Sequence, residues 1–185
     1  RMVGLTHKLM FTMLCVATAV MAAEPPHDRL LDQRFAELKQ APDESRAREI
    51  EQAIWKLWMK SGSAEIDKLM QQALEARRWG DYDKALGLLD RMIEMDPQYA
   101  EAWNQRATIH FLRDEYEPAL ADVARTLQLE PRHFGAMAGR GVIRLHQGKT
   151  ALAIQSIKAA MDYHPFLKER TLVPAQFLAP SAEPR

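Results

Sequence analysis

The chain has 185 residues, with 25 basic and 25 acidic side chains, and so carries no formal net charge. That balance removes any electrostatic reason to expect nucleic acid or anionic lipid as a partner. The length suits one domain with a sizeable core.

The first 23 residues differ in composition from the rest. "RMVGLTHK" is basic and contains no acid, "LMFTMLCVATAVMAA" is apolar, and "EPPHD" turns polar at once. A basic, then apolar, then small-residue order predicts a secretory signal peptide over 1–23, with Val20 and Ala22 suited to cleavage after Ala22 or Ala23. The alternative is a retained membrane anchor, although an apolar run of about 15 residues is short where a bilayer needs roughly 20. Cys15 follows Leu14 rather than the small residue that a lipid-bearing cysteine would want, so lipidation is not expected. Removal of 1–23 takes away Arg1 and Lys8 and no acid, leaving a net charge of −2 and no cysteine. Neither disulfides nor thiol chemistry would then be available. A bacterial periplasm fits such a chain best.

Residues 24–62 predict a short linker and a helical hairpin. The first helix runs over about 28–40 with Leu31, Phe35 and Leu38 on one face. The break at "APDE" pairs a proline with an N-cap candidate, Asp43. The second helix, about 43–60, carries a stripe of Ile50, Ala53, Ile54, Leu57 and Trp58, and a further flank of Trp55 and Met59. Two apolar flanks predict a helix sandwiched between neighbours, here the 28–40 helix and the first of the units that follow. Ser61-Gly62-Ser63 breaks the chain after it.

From residue 63 to 167 the same residue types return at one interval. Pro97, Pro131 and Pro165 are 34 residues apart, as are Ala85, Ala119 and Ala153, and Ala73, Ala107 and Gly141. Three units are therefore predicted, 66–99, 100–133 and 134–167. Each is a pair of helices: 66–78 with 82–95, 99–112 with 116–129, and 134–147 with 150–162. Gly80 and Gly148 stand where a helix end needs a left-handed residue, and Asp114 takes that place in the middle copy. The prolines stop each second helix. The alanines and Gly141 let paired helices approach closely, while Trp103 is expected to plug the gap to the next pair. Beyond 168, "PFLKERTL" (165–172) predicts a short cap over the last unit, and Pro174, Pro180 and Pro184 an irregular tail to 185.

A 34-residue helix–turn–helix with Trp103, Ala107, Ala119 and Pro131 in phase resembles the tetratricopeptide repeat (TPR) family. Arg106 and Arg140 depart from its usual leucine, and His110 and Arg144 from its usual aromatic. The resemblance implies an all-α, right-handed solenoid whose concave wall is made by the first helix of each pair. It places Arg77 and Arg78, then Asn104, Gln105, Thr108, Phe111 and Leu112, then Gly135, Gly139, Val142 and Leu145 on that wall. Family members that clamp a chaperone's C-terminal carboxylate use lysine, arginine and asparagine there; this chain has Gly135, Gly139 and Gln105 at the matching places. The clamp is missing, and the two glycines instead predict room for a partner's backbone or helix.

Nothing in the sequence predicts catalysis. The histidines lack zinc-protease spacing, and there is no nucleophile elbow or phosphate-cradling glycine loop. No cofactor or metal is expected, and His110 with Asp114 reads as a surface pair. The expected function is a scaffold that binds a protein or peptide in the periplasm through its groove. The rival is a structural subunit of an envelope complex, self-associating through an under-capped end or tethered to the membrane if residues 1–23 are retained.

Overall fold

The computed structural model describes residues 26–178, so the expected signal segment over 1–23 lies outside the described residues. Eight α-helices follow in order, with no strand among the described residues: α1 Pro26–Lys39, α2 Glu44–Trp58, α3 Ala64–Arg78, α4 Tyr82–Met95, α5 Ala100–Leu112, α6 Tyr116–Leu129, α7 Phe134–His146 and α8 Thr150–Met161. Two short 3₁₀ turns, Lys168–Leu172 and Ala175–Phe177, end the described chain. From α3 to α8 each helix packs on the next, and α5 also touches α7, giving a two-layered α-solenoid.

The turn chemistry is the expected one. Gly80 and Gly148 have φ of 77° and 72°, and Asp114 adopts 59°, the one positive value among the described non-glycine residues. An aspartate tolerates that region because its short side chain bonds locally; here its carboxylate accepts from the Tyr116 hydroxyl at 2.9 Å. His110 therefore has a different partner from the one its spacing suggested: its Nδ1 lies 2.6 Å from Glu115. At the N-terminus of α2 the Asp43 carboxylate accepts from the Arg46 N–H at 2.8 Å. Asp43→Ala should cost about 1 kcal/mol, the usual worth of such a cap, measurable as a lowered thermal midpoint.

The small residues are the seams. Ala85, Ala119 and Ala153 are completely buried. A Cβ on Gly141 would stand 2.6 Å from Ile157 Cγ1 and 3.1 Å from the Ala153 carbonyl oxygen, so glycine is required where α7 crosses α8. Trp103 packs against the core of the preceding, first pair rather than reaching the next one, and its indole N–H donates to the Pro97 carbonyl at 3.1 Å.

The hairpin sits elsewhere than its pattern suggested. α2 does lie on α1, and Met59 at its end reaches the core of the first pair, where the Tyr99 hydroxyl donates to the Met59 carbonyl at 3.0 Å. The apolar stripe itself faces the third pair. Leu31, Phe35, Ile50, Ile54 and Trp58 share one core with Phe134, Met137 and Ala138 of α7 and Ile157 and Ala160 of α8. Leu167 and Val173 from the C-terminal turns complete that core. Three features explain the placement. Among the described residues no further helical pair follows α8 to cover its apolar surface, Gly62 (φ 85°) lets the linker turn, and the Asp67 carboxylate fixes it by accepting from the Ser61 N–H and hydroxyl at 2.8 and 2.7 Å. Periodicity reports which flanks are apolar and says nothing of what they will meet.

Candidate functional site

The concave side of α5 and α7 is built on a buried polar chain. Glu101 and His133 are 1 % and 0 % exposed, and the two face each other at 3.0 Å between Oε2 and Nε2. His133 is also the N-cap of α7: its Nδ1 accepts from the Ala136 N–H at 3.0 Å, so Nε2 carries the proton that Glu101 receives. The other Glu101 oxygen accepts from Gln105 at 2.5 Å and Asn104 at 3.2 Å. Arg77 in turn donates to the Gln105 carbonyl at 2.6 Å, which joins the first pair to the start of the third. Trp58 lies flat on the imidazole, 4.0 Å between centroids and 9° between planes. A buried carboxylate is tolerable when every lone pair is engaged, and here three donors converge on it.

Two further groups tie the hairpin to this wall. Glu51 of α2 meets the buried His164 at 3.3 Å, and that contact holds the Glu51 carboxyl below its ordinary range. Arg132 pairs with Asp32 of α1 while its guanidinium lies 4.6 Å from the Phe35 ring centroid.

Along this wall, between α5, α7 and the C-terminal turn, a cleft of about 370 Å³ remains open. Its floor is Asn104, Thr108, Phe111, Gly135, Gly139 and Val142, and the C-terminal turn contributes Lys168 and Glu169. A contiguous recess adds Arg77 and Gln105, and Glu51 and Trp55 of α2. Eight of the eleven residues assigned to the wall from sequence thus converge: Arg77, Asn104, Gln105, Thr108, Phe111, Gly135, Gly139 and Val142. Arg78, Leu112 and Leu145 do not line it. Arg78 is exposed beside Trp79, and Leu112 is 44 % exposed.

The two glycines separate. A Cβ on Gly135 would stand 2.8 Å from the Trp55 ring, so the notch expected to admit a partner is already filled by the chain's own second helix. A Cβ on Gly139 meets nothing within 4 Å. Sequence reasoning missed Trp55, Glu51, Lys168 and Glu169 as walls of the cleft. It assigned Trp55 to the core, and the ring does pack against that core while it also borders the recess.

The fold and this cleft define a helical-repeat scaffold with a partly roofed concave face. The tetratricopeptide repeat profile matches residues 70–128 and 113–166. A TPR repeat-containing protein of Rhizobium etli is 38% identical over 144 residues, 78% of this chain and 70% of that one. The DnaJ protein P58IPK homolog A of Oryza sativa subsp. japonica is 31% identical over 100 residues, 54% of this chain but 20% of its own length. Among solved structures, the Arabidopsis OM64 TPR domain aligns with TM-score 0.57 at 15% identity, covering 61% of this chain and 93% of that one. The first TPR domain of Spaghetti (RPAP3), bound to the HSP90 peptide SRMEEVD, aligns with TM-score 0.56 at 20% identity, over 58% and 85%. The chain belongs to the tetratricopeptide repeat family.

Proposed function

We propose that this chain is a non-catalytic scaffold that holds a polypeptide partner in the cleft along α5 and α7, and that it does so in a bacterial periplasm. The observation that carries the reading is the open, largely apolar cavity over Gly139, reached from outside and bounded by Phe111 and Val142. Peptide capture by the RPAP3 domain shows that the fold can serve this purpose. Glycines at the two clamp positions favour a partner held along its length over one held by its terminal carboxylate. The composition of residues 1–23 supports export, and sequencing the N-terminus of the envelope protein tests it: a start at Ala23 or Glu24 is expected.

The cleft is tested by crosslinking. Gly139→Cys, loaded with a photoreactive maleimide in the native envelope, should give a discrete protein adduct. Gly87→Cys is the control, because Gly87 is exposed on α4 and a Cβ there meets nothing within 4 Å. Equal capture from both positions would remove the cleft from the reading. Gly139→Leu should abolish the adduct formed by a crosslinker at Val142, without loss of thermal stability, since leucine avoids the helix penalty of about 1 kcal/mol that glycine carries.

A further inference from the structure

The second and third repeats place arginine at the same step, Arg106 and Arg140, and the surroundings of the two differ in charge. Arg106 is fully matched. Its Nε and Nη2 bond both oxygens of the buried Asp122 at 2.8 Å, and its Nη1 bonds Asp90 of the preceding pair at 2.8 Å. Those partners raise its pKa, Asp122 most. One turn later His110 faces Glu115 at 2.6 Å. Moving each acid forward by the 34-residue repeat gives Ser156 for Asp122, Ala124 for Asp90 and Lys149 for Glu115. At the matching positions the third repeat has Arg140 for Arg106 and Arg144 for His110, and none of the three carboxylates.

The geometry follows the sequence. Arg140 donates from Nε to the Ser156 hydroxyl at 3.1 Å, and its two terminal nitrogens find no acceptor among the described residues. Burial pushes its pKa down and the neighbouring Arg144 pushes it further, the reverse of Arg106. Among the described residues the Arg144 guanidinium donates only to Gln147 Oε1, at 3.0 Å. Glu117, the acid at this junction, is taken by the Gln147 amide at 2.9 Å rather than by either guanidinium. Ala124, which the repeat matches to Asp90, is exposed and offers Arg140 no carboxylate.

We propose that Arg140 and Arg144 form a receptor for carboxylates carried by an acidic segment of a partner polypeptide, which supplies from outside what Asp90 and Asp122 supply within the second repeat. The pair recognises carboxylate because guanidinium and carboxylate meet in two parallel hydrogen bonds, as Arg106 and Asp122 do here. The receptor lies along the α6–α7–α8 seam and is independent of the cleft reading.

The test uses the chain without residues 1–23 and three probes: a capped peptide of alternating glutamate and alanine, its glutamine counterpart, and inorganic phosphate. The glutamate peptide should bind and the other two should not. Ala124→Asp, which restores the missing acid at an exposed position, should weaken the glutamate peptide by at least about fivefold, the scale of a partly exposed charge pair. Arg140→Gln should do the same, while Gly87→Ala, at an exposed position on α4, should leave binding unchanged. Equal binding of the glutamate and glutamine peptides, equal binding of phosphate, or full affinity in both Ala124→Asp and Arg140→Gln would each overturn the assignment.

Discussion

Alanine or leucine in place of Gly141 should destabilise the third helical pair, although either residue is a better helix former. In an unencumbered helix, glycine to alanine gains about 1 kcal/mol. Here the new Cβ would stand 2.6 Å from Ile157 Cγ1, an atom inside a fully buried side chain, and 3.1 Å from a backbone carbonyl oxygen. Neither can move away without separating α7 from α8. Overpacking of this kind costs about 1–3 kcal/mol and more for leucine, so hydrogen exchange in α7 and α8 should accelerate well before that in α3 and α4. Gly139→Ala, two residues away and facing open space, should be neutral or stabilising in the same measurement. If both alanine variants behave alike, the close crossing at Gly141 is not what holds the pair together.

Trp58→Ala should cost about 3–5 kcal/mol, the range for removing a buried aromatic. The ring stacks on His133 at 4.0 Å and packs 5.0 Å from Phe134, 5.2 Å from Trp55 and 5.9 Å from Phe35. The cavity would open between the hairpin and α7, so protection should fall in α1, α2, α7 and α8 together while α3 and α4 keep theirs. Loss confined to α2 and α3 would instead support the neighbour suggested by the apolar pattern. Trp58→Phe should lose far less, because the buried Trp58 indole N–H has no partner among the described residues and its removal relieves a cost that offsets part of the lost area.

Much of the fold could be read from the chain. Ala73, Ala107 and Gly141 recur at one interval with Ala85, Ala119 and Ala153 because each pair of helices solves the same local packing problem. Gly80, Asp114 and Gly148 announce the turns because few residues accept a left-handed backbone. The wall of the cleft was readable for the same reason: once the phase is known, a position's direction follows from the helical turn. Its occupancy was not. Gly135 and Gly139 look alike in sequence, yet Trp55 fills the notch at one and the other is free. Gln105, expected to face a partner, spends its amide between Arg77 and Glu101.

By itself, then, the sequence determined the helical pairs, their seams and their turns, since these depend on contacts within one repeat and its neighbour. Tertiary structure alone decided that the leading hairpin crosses to the far end of the array, that its Trp55 covers the concave face at Gly135, and that His133 and Glu101 are buried as a pair. Those outcomes depend on shape and charge matching between surfaces remote along the chain, where no period constrains which apolar flank finds which.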